Sequence, residues 1–404
     1  MAGVTEDYIK NIVNEVAIEN NISEWEMRKE TFEVSAQNYF GVLIPIVLTG
    51  KTEDSELSLS LVLKLAPTDE RYRVSGALSI FFEREMFVYS SILARYHELQ
   101  HNFEVKLIVP KCYYCRRDYC SEVIVLENMC ANQYRPFTSE TFLNFDHMNV
   151  SLKELAKLHA LSFILKTKHE RMYIDAEKKC APLNENNNKR FMEILKDRLA
   201  KAIQKFENTK YVPLLQRLRD KCNEFVEATS TEVKATALCH GDIWKENILY
   251  CYDEKDIPVS ACLIDFQTVR ISAPAYDVLY LITSSSHQQM RLSHFDQLLD
   301  VYYRTFEHFL RQAGIEASSV YSWSDFNEDL STVGPACLII ANTAMWLHHG
   351  LQEEGHVRSK KILKNDDEKS EALRNYKETI QNIIDDFSRY GYLTTVIGEE
   401  TKNY

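Results

Sequence analysis

Two short runs in the second half of the chain hold residue types suited to phosphoryl transfer. One is His240-Gly241-Asp242-Ile243-Trp244-Lys245-Glu246-Asn247 and the other is Cys262-Leu263-Ile264-Asp265-Phe266-Gln267. Each borders a short apolar run that reads as a strand. A carboxylate, a carboxamide five residues on and a second carboxylate 18 residues later form the set. Phosphoryl transfer asks for a base that orients the attacking hydroxyl and for hard oxygen ligands to Mg²⁺. Asp242 fits the base, and Asn247 and Asp265 fit the ligands. Taken singly, each run has a plainer reading. An HGD triplet arises often by chance, and an Asp ending a strand is often a turn residue. It is their order and spacing together that point to the chemistry. Neither run offers a His and Cys set suited to zinc.

Such chemistry also needs a lysine to hold nucleotide phosphates and a helical glutamate to fix it. Residues 57–65 alternate with period 2, which marks a half-buried strand. Leu57, Leu59, Leu61, Leu63 and Leu65 share one face, so Lys64 projects from the other with Ser58, Ser60, Val62 and Ala66. In the following helical run, Glu85 lies between Phe81 and Phe82 on one side and Val88 and Tyr89 on the other, at spacings of three and four. A carboxylate inside an apolar stripe is costly unless paired. Lys64 is its natural partner. Glu83 falls off the stripe and is free to be solvated.

Strands are expected near residues 41–48, 57–65, 103–109 and 122–126, with a short helix closing at Asn20 and a longer one over 76–96. After Glu127 the pattern turns helical, at 151–167, 190–205, 214–228, 293–312, 331–349 and 367–390. Short apolar strands interrupt it near 237–239, 248–250 and 259–264. A smaller β-rich part, residues 1–128, thus precedes a larger mostly helical one, residues 129–404.

Composition bounds the rest. Forty-seven basic against 59 acidic residues give a net charge of −12. That is a poor balance for gripping a phosphate backbone, so no nucleic-acid partner is expected. No uncharged apolar stretch approaches the ~18 residues that span a bilayer, and no export signal is visible. Ten cysteines in such a chain point to reduced thiols and a cytoplasmic setting. Cys112 and Cys115 form a CxxC pair in an apparent hairpin, but zinc asks for a second pair or histidines. Buried or surface thiols in strands are the simpler account.

These runs together resemble the ecdysteroid kinase-like family (also called CHK kinase-like). That family stands in the aminoglycoside and choline kinase group of the protein-kinase-like fold. The residues carrying the likeness are 238–250, 263–267, Phe82-Glu-Arg-Glu-Met-Phe-Val-Tyr89 and Leu155-Ala-Lys-Leu-His-Ala-Leu-Ser162. The resemblance implies an α+β bilobal fold, with a small β-rich N-lobe and a larger mostly helical C-lobe, that uses ATP and Mg²⁺. By motif it implies Asp242 as base, Asn247 and Asp265 as metal ligands, and Lys64 with Glu85 at the phosphates. Val125 to Met129 would be the hinge, with Glu127 and Met129 receiving adenine, and Asp277 would brace the catalytic loop. Asn38 would contact the nucleotide from the phosphate loop, although here the only nearby glycine, Gly41, follows the Asn-Tyr pair.

Asp277 follows Asp265 by only 12 positions. A protein kinase places its activation segment and peptide-docking loop in that interval. A protein substrate is therefore not expected, and a small-molecule hydroxyl is, with an ecdysteroid or other steroid or xenobiotic alcohol as one option. Tyr302, Tyr303, Trp323, Trp346, His348 and His349 are candidates for the acceptor pocket, against the plainer reading of aromatic core packing. The alternative function is a catalytically silent protein of this fold that binds nucleotide or an apolar ligand.

Overall fold

Alternating apolar residues build a five-stranded antiparallel sheet in the N-terminal part of the computed structural model, which describes residues 5–32, 41–68, 70, 73, 78–352 and 363–397. The strands are β1 (Ser23–Lys29), β2 (Val42–Lys51), β3 (Glu56–Leu65), β4 (Cys112–Arg116) and β5 (Val123–Glu127), in the order β1-β2-β3-β5-β4. Leu61, Leu63 and Leu65 of β3 and Val123 and Val125 of β5 face helix α1 (Glu6–Glu19), where they meet Ile9, Ile12, Val13 and Val16 in a closed core. Each such side chain contributes about 1.5–3 kcal/mol on burial.

The opposite face of the sheet packs against α2, which runs over residues 78–99. It is α-helical at Leu78–Phe87, widens to a π turn at Val88–Leu93 and returns to α at Ala94–Leu99. Its Phe82, Met86 and Ile92 belong to the large core that continues into the C-terminal helices. Glu83 is exposed and Glu85 buried, as the stripe on this helix dictates.

The strand expected at 103–109 does not form. That segment is irregular, and side chains hold its backbone. Gln100 Oε1 accepts the Leu107 N–H at 2.7 Å, and Glu154 Oε1 accepts the Ile108 N–H. Only one bond to a strand residue is made there, from Leu263 N–H to the Ile108 carbonyl at 3.3 Å. Apolar alternation is present, but side chains take its backbone N–H groups in place of a strand ladder.

The C-terminal part is built around α3 (Phe145–Lys168). Asn144 caps it by accepting the His147 N–H at 3.1 Å, and Lys166 and Lys168 sit in its last turn, where the helix dipole favours cations. The helices Lys189–Lys205, Gln288–Gln312, Trp323–His348 and Asp366–Tyr390 complete the main packing. The helix expected over 214–228 is two helices, Val212–Asp220 and Cys222–Thr231, because Lys221 leaves helical backbone (φ −106°, ψ 20°). Contrary to the expectation that no stretch reaches that length, Trp323–His348 is long and apolar enough to cross a membrane, but 72% of its most apolar window is buried inside the fold. Two of its buried polar side chains find hydroxyl partners there, Asp329 with the Tyr321 hydroxyl at 2.7 Å and Asn342 Oδ1 with the Tyr376 hydroxyl at 2.5 Å.

Five short strands lie among the helices. β6 (Arg135–Pro136), β8 (Ile248–Tyr252) and β9 (Pro258–Leu263) form one sheet, and β7 (Ala237–Cys239) pairs with β10 (Arg270–Ser272). These two small sheets hold the loop of residues 240–247 and the residues around Asp265. A five-stranded lobe and a larger helical lobe, as in the kinase-like fold, make up the molecule.

Candidate active site

Strand register assembles the site. In the β8–β9 hairpin Ile248 pairs with Leu263, so Asn247 enters one strand beside the residues that leave the other. The Ile264 N–H bonds the Asn247 carbonyl at 3.1 Å. Asp265 follows in left-handed backbone (φ 67°, ψ 63°), an unusual conformation for a residue with a Cβ. Asn247 and Asp265, 18 positions apart in sequence, thus come close together at the open end of the hairpin.

Lys64 links the two lobes. Its Nζ lies 2.6 Å from Glu85 Oε2 and 2.8 Å from Asp265 Oδ1. Lys64 and Glu85 are 3% and 1% exposed, so neither charge is met by water. Burial opposes the ammonium, but Asp265 and Glu85 outweigh it and raise the Lys64 pKa. Burial, with repulsion from Asp265, pushes Glu85 up to about 7 against the pull of Lys64. One cation shared between two carboxylates leaves an excess of negative charge in this pocket.

Asp242 adds to that excess. It is half-buried, and burial, then repulsion from Asp265, raises its pKa against the stabilising influence of His240. The Tyr280 hydroxyl donates to Asp242 Oδ1 at 3.2 Å. Asn247 Nδ2 donates to the Asp242 carbonyl at 2.8 Å and approaches Oδ2 at 3.4 Å. With its amide nitrogen so committed, Asn247 has Oδ1 left for a ligand, and Asp265 has Oδ2. Two hard oxygens beside surplus negative charge fit a magnesium ion.

The loop is held from behind by Asp277, on the helix Pro274–Ser285. Its Oδ2 accepts the His240 N–H at 2.6 Å, and its Oδ1 accepts the Gly241 N–H at 3.0 Å. His159 Nε2 donates to Oδ2 at 3.2 Å, which leaves Nδ1 to accept from the Tyr302 hydroxyl at 2.7 Å. Burial opposes the Asp277 charge, but these bonds and the neighbouring cations hold its carboxyl below the ordinary range. His159, Cys239 and Asp277 are the one trio of close metal-ligating types among the described residues. Both His159 nitrogens are already bonded, so the trio reads as a brace. Gly241 has φ 83°, and a Cβ there would meet the Thr268 carbonyl at 2.3 Å. Arg270 Nη1 closes the loop by donating to the Gly241 carbonyl at 2.8 Å.

Glu127 and Met129 stand where β5 ends. The Glu127 N–H bonds the Lys111 carbonyl at 2.8 Å, and the Asn128 N–H bonds the Ser60 carbonyl at 2.9 Å. Met129 is the first residue of a 3₁₀ turn, so its N–H is not used by that turn. Asn38 lies outside the described residues.

The acceptor candidates separate. Tyr302 is in the core on His159, and Tyr303 bonds the Tyr321 carbonyl at 2.9 Å. Trp346 packs on Tyr376 with ring centroids 5.2 Å apart, and Trp323 lies at the surface against Tyr303. His348 reaches the loop region, its ring 6.3 Å from those of Trp244 and Phe142, and His349 packs on His348 with ring centroids 5.3 Å apart. Tyr280 and Arg270 were missed in the sequence. Tyr280 had a signal, since it lies three residues past Asp277 on the same helix face. Arg270 had none, because the β7–β10 pairing alone brings it to Gly241.

No curated relative matches the sequence. An aminoglycoside phosphotransferase from Streptomyces rimosus, solved with ADP and streptomycin, aligns over 81% of this chain and 98% of its own at 13% identity, with a TM-score of 0.37. A structure of the same Streptomyces rimosus protein, whose title names no ligand, aligns over the same shares at 14% identity and a TM-score of 0.31. The ecdysteroid kinase-like profile matches residues 35–315, a span that takes in Lys64, Glu85, Asp242, Asn247, Asp265 and Asp277, and the chain belongs to the ecdysteroid kinase-like family.

Proposed function

We propose that this chain transfers the terminal phosphoryl group of ATP to a hydroxyl of a small molecule. The observation that carries the reading is the bridge made by Lys64 between Glu85 and Asp265, with Asp242 and Asn247 on the adjoining loop.

In this reading adenine meets the backbone at Glu127 and Met129, and Lys64, fixed by Glu85, anchors the phosphates. Asn247 and Asp265 would hold the magnesium, which when bound would draw charge from the phosphate oxygens. Asp242 accepts the hydroxyl proton and aligns the oxygen. Tyr280 and the Asn247 amide fix the rotamer of Asp242. Burial, with repulsion from Asp265, raises its pKa, which makes it a better base than an ordinary aspartate.

A small acceptor fits the backbone between Asp265 and Asp277. A 3₁₀ turn (Phe266–Thr268) and β10 fill that interval and lead directly into the helix at Pro274, with no loop to dock a peptide. The family description makes hydroxylated steroids the first acceptors to try.

The test is phosphate transfer from Mg·ATP across a panel of hydroxylated compounds. Asp242→Asn is expected to lower turnover by ~10²–10⁴ while sparing ATP binding. Asp265→Asn is expected to weaken Mg·ATP binding instead. Normal turnover in Asp242→Asn would remove it from the base role.

A further inference from the structure

On a regular strand, residues three apart face opposite sides of the sheet. Cys112 and Cys115 of β4 escape that rule. Cys112 pairs with Leu126 while Tyr114 pairs with Val125, so β4 advances two residues for one of β5 and Tyr113 is the extra residue of a bulge. The bulge turns both cysteines to the same face, with their Sγ atoms 3.5 Å apart. Cross-strand pairing identifies that face. Cys115 pairs with Ile124, and Ile124 with Lys64, so the thiols share the Lys64 side of the sheet. Both are partly accessible, and β4 is an edge strand.

We propose that Cys112 and Cys115 form a reactive dithiol, a site of reversible oxidation to an intrastrand disulfide by a hydroperoxide. The zinc alternative lacks further ligands, since no third metal-ligating side chain joins this pair among the described residues. The thiol contact also divides the roles. The bond from Cys115 lowers the Cys112 pKa, and the same contact raises that of Cys115. Either sulfur can donate in that contact, and the lowered Cys112 pKa favours the thiolate there.

The Cys112 sulfur attacks the peroxide, the O–O bond breaks, and water or an alcohol leaves as the sulfur becomes a sulfenic acid. The Cys115 sulfur then attacks that sulfur. The S–S bond forms, the S–O bond breaks, and the thiol proton departs with the hydroxide as water. Two thiols lose two protons and two electrons, and the peroxide is reduced. The sulfurs have to close from 3.5 Å to about 2.05 Å.

That closure acts next to the segment assigned to adenine. Lys111, adjacent to Cys112, accepts the Glu127 N–H at 2.8 Å and donates its own N–H to Glu127 Oε2 at 3.2 Å. Drawing Cys112 toward Cys115 shifts this clamp, so oxidation raises the KM for ATP. This consequence rests on the proposed kinase reading; the oxidation itself does not.

The reduced full-length protein is treated with a small excess of hydrogen peroxide, alkylated and mapped by peptide mass spectrometry. A Cys112–Cys115 disulfide that dithiothreitol reverses is expected. In Cys115→Ser, Cys112 should stop at a sulfenic acid trapped by dimedone. Phenylarsine oxide, which bridges close dithiols, should bind the wild type and be lost in both Cys112→Ser and Cys115→Ser. Two free thiols at these positions under peroxide that oxidises the exposed Cys130, with no arsenical bound, overturn the proposal. A severalfold rise in KM for ATP should appear in the oxidised wild type and not in peroxide-treated Cys115→Ser. An unchanged KM in fully disulfide-bonded protein overturns the link to Glu127. Absence of any phosphate transfer by the reduced protein counts against the proposed function and leaves the dithiol standing.

Discussion

Asp277→Asn tests how far the loop of residues 240–247 depends on one buried carboxylate. The substitution keeps shape and removes charge. Asp277 accepts three N–H groups, from His240 and His159 at Oδ2 and from Gly241 at Oδ1. An asparagine has one acceptor oxygen. In the better orientation it serves His240 and His159 and sets its NH₂ against the Gly241 N–H. One stranded buried donor costs about 1–3 kcal/mol. The two surviving bonds go from charge-assisted to neutral, at about 1 kcal/mol each. The sum is about 3–5 kcal/mol, a large fraction of the ~5–15 kcal/mol that holds a typical fold. Urea unfolding at neutral pH should show that loss. The acid limb supplies a sign check. Because the folded Asp277 pKa lies below its unfolded value, its stabilisation is present at neutral pH and fades as pH falls through the acid range. The variant should therefore converge on the wild type as pH drops. A stability loss under about 1 kcal/mol, or a gap that widens toward low pH, would refute this account of the brace.

Further expectations concern the same loop and its supports. Gly241→Ala forces a left-handed backbone on a residue with a Cβ and drives that atom against the Thr268 carbonyl, so kcat should collapse before ATP affinity does; comparing ATP titration with turnover decides it. Tyr280→Phe removes a bond to the ionised form of Asp242, so the Asp242 pKa rises and the acid limb of the kcat/KM profile moves to higher pH; an unmoved limb rules out that role. Burial raises Glu154 to about 7 against the pull of Lys157, so its contribution to stability is full below about 4.5 and lost as pH rises through about 7. Melting temperatures measured on both sides of that window should fall more steeply with pH in wild type than in Glu154→Gln, and equal slopes would count against it.

The sequence determined those features that local periodicity can encode. Alternation in residues 57–65 put Lys64 opposite the leucines, and the stripe around Glu85 required a cation. The spacing of Asp242, Asn247 and Asp265 pointed to the phosphoryl transfer proposed for this chain. Tertiary structure alone decided the contacts that periodicity cannot hold. Asp265 reaches Lys64 across 201 positions, and Arg270 reaches Gly241 only through the β7–β10 pairing. Residues 103–109 have strand-like alternation, but Gln100 and Glu154 side chains hold their backbone instead of a strand ladder. The CxxC pair became a close dithiol only because a bulge reversed one step of the pleat. A pattern fixes which face a residue takes within its own element. Which elements stand opposite, and in what register, is set by the packing of the whole chain.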